Sequence, residues 1–215
     1  MIIAVDGPAA AGKGTLGRRL AKLYGLAFLD TGGLYRATAL KVLDGGGDPA
    51  DPATAEAAAK AIAPADLDTP RLREDRVSAA ASMVAAIPGV RAALLAFQRD
   101  FARHPPAGFQ GALLDGRDIG TVVCPDATVK LYVTASPEAR AARRFKELQE
   151  SGAGTIYQRV LQDIEQRDAR DRERQTAPLR PADDALQLDT TALDADAAFA
   201  KAADLIARKL EAPPR

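Results

Sequence analysis

Near its start, the chain combines the residue types that a loop needs to hold phosphate, with Gly7 and Gly12 followed at once by Lys13. They match the G-x-x-x-x-G-K half of the Walker A motif, although Gly14 and Thr15 follow where the full pattern has Ser or Thr directly. Glycines permit a close backbone approach, so successive N–H groups can point at phosphate oxygens, and the lysine ammonium can reach the β and γ phosphates. The predicted loop consists of Gly7, Pro8, Ala9, Ala10, Ala11, Gly12, Lys13, Gly14 and Thr15.

Such a motif also arises by chance, and the flanking elements help to decide between the two interpretations. Residues 2–5 (IIAV) form the continuous apolar run typical of a parallel strand that is covered on both faces. Leu16, Leu20 and Leu23 then recur at helical spacing, and Gly25 can close the helix. Strand, loop and helix begin a βαβ unit, which favours a phosphate loop. By itself the loop indicates binding of a nucleoside triphosphate, and not a particular reaction.

Arginines at strand ends and helix starts are the second unusual feature. There are seven of them: Arg36, Arg117, Arg143, Arg144, Arg167, Arg170 and Arg174. So many guanidinium groups require anionic partners, and a phosphorylated substrate is one candidate. The alternative for the last three is a solvated helix, because four acidic residues between 165 and 173 can pair with them at i,i+3 and i,i+4. The local sequence leaves both interpretations open.

Four further short segments predict the rest of a sheet. They span residues 26–29, 112–114, 128–133 and 186–188. Helices separate most of these strands, and Thr31 is the expected N-cap of the helix that follows the second one.

The second half of the chain predicts three helices. Ser136 and Pro137 fit an N-cap and a first helical position, which predicts a helix over residues 137–150 that residues 151–154 end. The next helix has an apolar face over residues 156–164 and is then almost wholly charged to residue 174, so we expect that end to project into solvent or over a ligand. A last helix over about 196–210 covers the sheet.

The segment between the second and third strands has a weaker pattern. Residues 48–70 are rich in alanine with scattered Pro and Asp, and they predict short helices and loop. Residues 79–102 regain helical periodicity, with an interruption at Pro88 and Gly89.

Length and charge limit the class of protein. A chain of 215 residues can form one α/β domain with a substantial core. Basic and acidic residues both number 29, so the net charge gives no indication of binding to nucleic acid or a membrane surface. The single Cys124 cannot form an intramolecular disulfide, and no run approaches the roughly 18 apolar residues of a membrane span. Residues 2–5 fit a strand better than a secretory signal, so we expect a cytoplasmic monomer.

Four ordered signatures together resemble a known family. They are residues 7–15 (GPAAAGKGT), 30–36 (DTGGLYR), 115–121 (DGRDIGT) and 167–172 (RDARDR). The set resembles the bacterial-type cytidylate kinases and covers most of the chain, and DGRDIGT is its most specific part. Between residues 43 and 82 the chain departs from the family, because many members carry a small antiparallel β insert where this sequence is short and alanine-rich.

The resemblance implies an α/β fold of the P-loop kinase type, with three α/β/α layers and a five-stranded parallel sheet. It implies one kinase domain over residues 1–215 that transfers the γ-phosphoryl group of ATP to CMP or dCMP, with Mg²⁺ as the cofactor of ATP. We expect the core at about residues 1–40, 108–139 and 179–215. The acceptor-binding segment is expected at about 41–107 and a mobile lid at about 140–178.

The same resemblance implies roles for the arginines and their neighbours. Arg36, Arg117 and Arg174 would hold phosphates, Arg167 and Asp171 would reach the ribose, and Ser82, Arg91 and Asp118 would read the cytosine edge. Arg143 would lie near the adenine or the phosphates of ATP. The residues expected at CMP are Asp30, Thr31, Arg36, Ser82, Arg91, Arg117, Asp118, Arg167, Asp171 and Arg174. Those expected to be catalytic are Lys13, Arg117, Arg167 and Arg174.

The choice of cytosine has a separate chemical argument. An ionised Asp118 can accept a hydrogen bond from the exocyclic amine of cytosine, whereas the O4 of uracil would leave two acceptors facing each other. Two alternatives remain open, in which Asp118 pairs with Arg117 or caps a helix.

The expected chemistry needs no general base, because the acceptor phosphate is already ionised near neutral pH. His104, beside two prolines, and Cys124 are therefore interpreted as structural. With Gly14 after Lys13, Mg²⁺ would have few protein ligands, and Thr15 is the candidate. Two other functions stay open: a kinase for another small acceptor, such as another nucleotide, shikimate or a coenzyme A precursor, and a regulatory module that binds nucleotide without turnover.

Overall fold

The five predicted strands form one parallel sheet in the computed structural model, which describes residues 1–150, 152 and 154–211. The strands are β1 (Ile2–Asp6), β2 (Ala27–Asp30), β3 (Ala112–Gly116), β4 (Val129–Thr134) and β5 (Leu186–Asp189). Their order in the sheet is β2-β3-β1-β4-β5, and every neighbouring pair is parallel. The prediction of a five-stranded parallel sheet is confirmed. The carboxyl ends of β1 and β3 therefore lie side by side at one edge, where ligands bind in open α/β sheets.

Eight α-helices are described around this sheet. They are α1 (Lys13–Leu23), α2 (Thr31–Asp44), α3 (Pro52–Lys60), α4 (Asp75–Val84), α5 (Pro88–Arg103), α6 (Pro137–Glu150), α7 (Tyr157–Glu173) and α8 (Ala195–Glu211). The predicted helix over 137–150 and the predicted interruption at Pro88 are confirmed, since Pro88 is the first residue of α5. Of the residues expected to end α6, Ser151 and Ala153 lie outside the described residues.

Alternation along the central strands divides the core into two layers. In β1, Ala4 packs into one hydrophobic cluster while Ile3 and Val5 pack into the other. The first cluster includes apolar residues of α2, α3, α4 and α5, and the second includes those of α1 and α8. A strand that is buried on both faces must be apolar throughout, which is why residues 2–5 form a continuous run.

Helices α6 and α7 have a third, smaller cluster of their own. Its buried members are Ala141, Leu148, Val160 and Ile164. The ring of Phe145 packs edge-on against that of Tyr157, with centroids 6.1 Å apart. These two helices thus form a hairpin stabilised mainly by its own side chains, next to the sheet.

The segment between β2 and β3 is helical. Besides α3, α4 and α5 it contains two 3₁₀ turns, Pro64–Leu67 and Pro70–Arg73. Short helices and loop were predicted for residues 48–70, and this is confirmed.

One predicted cap is wrong. The N-cap of α2 is Asp30 and not Thr31, because a carboxylate oxygen of Asp30 accepts a hydrogen bond from the N–H of Gly33 at 3.2 Å. The hydroxyl of Thr31 instead donates to the carbonyl oxygen of Asp115, at 2.7 Å. Sequence spacing alone does not distinguish two adjacent residues that can both cap a helix. Here the hydroxyl of Thr31 bonds to β3, and Asp30 caps the helix.

In the part of the chain that the structure describes, no helix alone has the length and apolarity of a membrane span, and only α4 and α5, bent by 100° at their junction, meet that test as a pair.

Candidate functional site

The phosphate loop joins β1 to α1 in backbone conformations that depend on glycine. Gly7 has φ +147°, and a Cβ atom there would lie 1.9 Å from the carbonyl oxygen of Val133 on β4. Gly12, the N-cap of α1, has φ +85°, which also favours glycine. The loop therefore packs closely against β4. The first N–H groups of α1 have no intrahelical partners, as at any helix N-terminus, and can donate to an anion.

Lys13 is buried, with 5% of its surface exposed. Its Nζ donates a hydrogen bond of 2.8 Å to the carbonyl oxygen of Pro8 and lies 3.9 Å from Oδ1 of Asp115. Burial lowers the pKa of Lys13, and the positive charges of Arg117 and Arg167 also lower it by more than Asp115 raises it, so that the pKa is about 7. A bound anion would relieve this electrostatic strain.

Arg167, like Lys13, is repelled by Arg117. Burial, together with the charge of Arg117, lowers the pKa of Arg167 to about 10. Its Nε is buried and finds no hydrogen-bond partner among the described residues. Lys13 is the first residue of α1, Arg117 directly follows β3 and Arg167 is in α7, so three separate parts of the fold bring positive charge to one place.

Arg117 and Arg36 are each held by a carboxylate. The Nε of Arg117 donates to Oδ2 of Asp171 on α7 at 3.1 Å, and Arg36 donates to Oδ2 of Asp30 at 2.6 Å. Burial opposes ionisation of Asp30, but Arg36 holds the pKa of that carboxyl below its usual range. Both guanidiniums are therefore pre-oriented at the carboxyl end of the sheet.

Asp118 is buried between two arginines from different elements. Its Oδ2 accepts a hydrogen bond of 2.5 Å from Arg91 on α5, and its Oδ1 lies 3.5 Å from Arg174. It starts a short π-helical turn, Ile119–Val123, but its side chain makes no capping hydrogen bond there. Of the two alternatives, the carboxylate therefore neither caps this turn nor takes Arg117 as its ion-pair partner.

Two cavities open on either side of these groups. One, of about 180 Å³, is lined by Arg91 and Asp118 together with Tyr35 and Gln98. The other, of about 260 Å³, is lined by Ser82, Asp171 and Arg174 along with other residues of α4 and α7. The hydroxyl of Ser82 is buried and finds no hydrogen-bond partner among the described residues, so it can serve a ligand.

Helix α7 is not a simple solvated helix. Asp171 pairs with Arg117 of the core, and Arg174 approaches both Asp171, at 3.8 Å, and Asp118. Burial opposes ionisation of Asp171, but Arg117, Arg167 and Arg174 hold its pKa below the usual range. The charged end of the helix therefore faces the site, and the alternative of pairing only within the helix does not describe it.

Arg143 lies near the phosphate loop and is connected to it through Thr190. Its guanidinium donates to the carbonyl oxygen of Thr190 at 2.5 Å and to the hydroxyl of Thr190 at 3.1 Å. That hydroxyl is in turn 3.3 Å from the carbonyl oxygen of Ala11 in the loop. Arg144 points elsewhere and pairs with Asp75 of α4, at 2.5 Å.

Four buried groups at this edge were not predicted from the sequence. Asp6 accepts hydrogen bonds from the N–H groups of Ile119 and Gly120, at 2.8 and 2.7 Å, although burial raises its pKa to about 7. The others are Asp115, Arg140 and Asp168. Asp6 and Asp115 each stand at the end of an apolar strand, a signal that could have identified them. No sequence feature distinguishes Arg140 from its exposed neighbours.

His104 and Cys124, interpreted from the sequence as structural, have no role at the site, whereas Thr15 belongs to the phosphate loop. His104 is exposed and pairs with Asp100 at 2.9 Å. Burial raises the pKa of the Cys124 thiol to about 11, which makes it a poor nucleophile near neutral pH. Thr15 is exposed in the first turn of α1, beside Gly14.

Comparison with known proteins agrees with this geometry. The family model for cytidylate kinase matches residues 3–208. A cytidylate kinase from Paramagnetospirillum magneticum is 62% identical over 208 residues, which span 97% of this chain and 98% of that protein. A cytidylate kinase from Granulibacter bethesdensis is 58% identical over 209 residues, spanning 97% and 98%, respectively.

Among solved structures, an uncharacterised protein from Eubacterium ventriosum superposes with a TM-score of 0.53 at 14% identity. The match covers 97% of this chain and 98% of that one, and it supports the fold alone.

Proposed function

This chain belongs to the cytidylate kinase family and transfers the γ-phosphoryl group of ATP to CMP or dCMP, and we propose that Lys13 and the converging arginines carry out that transfer. The observation that carries the residue assignment is that Lys13, Arg117 and Arg167 lie close together: burial, and then repulsion by Arg117, lowers the pKa of both Lys13 and Arg167. Proteins hold like charges together at a cost in stability where a ligand of opposite charge binds. A transferring phosphoryl group between two polyanions is such a ligand.

The donor site in this proposal is the phosphate loop. Residues 7–15 surround the β and γ phosphates with N–H groups, and Lys13 leaves the carbonyl oxygen of Pro8 for a phosphate oxygen. The adenine lies towards Arg143 and Thr190, whose contact with Ala11 adjoins the loop.

The acceptor phosphate lies among Arg36, Arg117 and Arg174, near Asp30 and Thr31 at the start of α2. Arg167 and Asp171 face the ribose, and Ser82 lines the same cavity as Asp171. A nucleotide that enters would exchange the carboxylate partners of these arginines for phosphate oxygens, which also accept bidentate hydrogen bonds from a guanidinium group.

The base would be read in the cavity that Arg91 and Asp118 line, with the hydroxyl of Ser82 as a further donor from the neighbouring cavity. A carboxylate accepts from the exocyclic amine of cytosine, while arginine and serine donors serve O2 and N3. Uracil offers a carbonyl in place of the amine and would leave buried acceptors unpaired, the situation in which polar sites discriminate by on the order of 10⁴.

Mg²⁺ fits the oxygen donors at this edge. Thr15 on the first turn of α1 and Asp115 beside Lys13 are the nearby candidates, and within the described residues no group of three or more His, Cys, Asp or Glu side chains could hold a metal. Phosphates and water would complete most of the coordination shell. When bound, the ion neutralises charge on the phosphates.

The chemistry requires positioning and not a base. The second pKa of a phosphate lies near 6, so the acceptor oxygen is ionised at neutral pH. Lys13, Arg117, Arg167 and Arg174 would align the two phosphates and stabilise the charge of the transferring group. Helices α6 and α7 would act as the lid and exclude water, which otherwise would compete as acceptor.

We assign the chain to one kinase domain over residues 1–215, with the core at about 1–40, 108–139 and 179–215, the acceptor segment at 41–107 and the lid at 140–178. The separate hydrophobic cluster of α6 and α7 supports the lid boundary. We further propose a cytoplasmic monomer that binds neither nucleic acid nor a membrane, as the balanced charge suggests.

The test is a coupled assay of ADP release with ATP, Mg²⁺ and a panel of monophosphates. CMP and dCMP should support turnover far better than UMP or AMP. Comparable rates with AMP would contradict the cytosine assignment, and ATP binding without CMP-dependent ADP release would contradict the kinase.

A further inference from the structure

One buried ion pair joins both lid helices to the phosphate loop. Arg140 on α6 donates through Nη1 and Nη2 to Oδ1 and Oδ2 of Asp168 on α7, at 3.1 and 2.6 Å. The exposed fraction is 1% for Arg140 and 2% for Asp168. We propose that Arg140 and Asp168 are a positioning pair that couples the acceptor side of the site to the donor loop, so that CMP and ATP bind cooperatively. The proposal rests on the function proposed above.

The guanidinium of Arg140 has further fixed partners. Its Nε donates to the carbonyl oxygen of Ala135 at 2.9 Å, and Nη1 also donates to the carbonyl oxygen of Ala9 at 3.3 Å. One planar group thus connects the end of β4, the lid and the phosphate loop. Such a fork allows little rotation, because its donors are set in one plane.

On the lid side, the pair sets the rotation of α7. Asp168 follows Arg167 directly, and Asp171 lies one turn further along. Since successive residues in a helix are 100° apart, a bidentate contact at Asp168 decides which way Arg167 and Asp171 point. These are the two residues proposed at the ribose, so a change in acceptor contacts would be transmitted to Arg140.

On the donor side, the pair touches the loop next to the Lys13 contact. Ala9 lies between Pro8, whose carbonyl accepts from Lys13, and Ala10, which has φ +57° and packs against the apolar cluster of α6 and α7. When the ammonium group of Lys13 leaves the carbonyl oxygen of Pro8 for a phosphate oxygen, the neighbouring peptide groups can shift. Arg140 then shifts with them, because it donates to the carbonyl oxygen of Ala9. The contact is therefore placed to link occupancy of the two sites.

The test measures the coupling itself. Dissociation constants for a non-hydrolysable ATP analogue with Mg²⁺ would be determined by calorimetry with and without saturating CMP, and the same for CMP with and without the analogue. In the unaltered protein each nucleotide should tighten the other by the same factor, at least about fivefold. A factor of 1 would overturn the proposal.

Two variants separate coupling from folding. Arg140→Lys retains the charge but loses the fork, and Arg140→Met/Asp168→Leu removes both buried charges, which avoids leaving one unpaired. We expect the ATP analogue alone to bind within about twofold of its original affinity and CMP to bind with nearly the same affinity in its presence and absence, so that the coupling factor falls towards 1. The matched control is Arg19→Gln/Asp196→Asn, which breaks another ion pair between two helices, away from the site.

Two outcomes would reject the pair as a coupling device. The first is coupling that persists in variants that fold. The second is a double variant that loses thermal stability and also loses affinity for each nucleotide alone, since the pair would then only support the structure. Failure of the proposed function is read separately, as absence of CMP-dependent ADP release by the unaltered protein.

Discussion

Arg117 and Asp171 are 54 residues apart in the sequence, yet the Nε of Arg117 lies 3.1 Å from Oδ2 of Asp171. The contact joins the end of β3 to α7, so a charge pair holds α7 at the carboxyl end of the sheet. The same arginine repels Lys13 and Arg167; Asp115 offsets part of this repulsion at Lys13, and Asp171 offsets part of it at Arg167. We propose that this excess of buried positive charge makes the site selective for polyanions.

Replacing Lys13 by methionine should lower kcat by about 10²- to 10³-fold, because it removes a preorganised charge from the transferring group. The change is measured by ADP release at saturating ATP and CMP. Lys22→Met, on the last turn of the same helix, is the control and should keep full activity. Unchanged turnover in the Lys13 variant would exclude the assigned role.

Nucleotide binding should take up a proton at pH 8. The pKa of Lys13 is lowered to about 7, so this amine is mostly neutral at pH 8, and a bound phosphate raises its pKa towards the ordinary value near 10.5. Affinity contributed by this group is therefore fully present below about pH 7 and is lost as pH rises towards 10.5. Calorimetry in buffers of different ionisation enthalpy should report uptake of about one proton, and Lys13→Met should abolish it. Equal heats in all buffers would contradict the shift.

Asp118→Asn should relax the choice of base. The amide can donate to the O4 of uracil, so the ratio of kcat/KM for CMP over UMP should fall by at least about tenfold. Asp100→Asn, an exposed aspartate on α5, is the control. A preserved ratio would mean that Asp118 serves only to hold Arg91 and Arg174.

Gly7→Ala should disrupt the phosphate loop. The new Cβ would meet the carbonyl oxygen of Val133 at 1.9 Å, and backbone atoms cannot yield as a flexible side chain does. We expect the free energy of unfolding to fall by about 1–3 kcal/mol and ATP binding to weaken. Gly154→Ala, where the added Cβ would meet nothing within 4 Å, is the control for denaturant unfolding. Equal stability of the two variants would show that the loop relaxes without strain.

Arg144 and Asp75 connect α6 of the proposed lid to α4 of the proposed acceptor segment, with their nearest atoms 2.5 Å apart. Both side chains are partly exposed, so the pair is screened by salt and contributes little. Arg144→Gln should raise KM for CMP by about two- to fivefold at low ionic strength and have no effect at high salt. The reverse salt dependence, or an effect on kcat alone, would argue against a latch between the two segments.

Much of this protein was readable from local sequence. Continuous apolar runs identified β1, β2 and β3, because a strand buried on both faces is apolar throughout. The segments of β4 and β5 were identified although polar residues interrupt them, and in the structure the burial of β4 alternates along the strand. The glycine spacing of residues 7–12 predicted the phosphate loop, since few other residues tolerate those backbone angles. The family itself followed from the order of four short motifs, and their match with cytidylate kinases confirmed it.

Tertiary structure decided which charges face each other. No local pattern distinguishes the buried Arg140 from the less buried Arg143 and Arg144 of its helix. Nor does any pattern indicate that Asp168 lies nearer to Arg140, at 2.6 Å, than to Arg172 of its own helix, at 3.7 Å. The partners of Asp118 come from α5 and from the end of α7, at distances along the chain that spacing rules do not reach. Ion pairing depends on distance in space and on burial, and both are set only when the lid hairpin packs against the sheet.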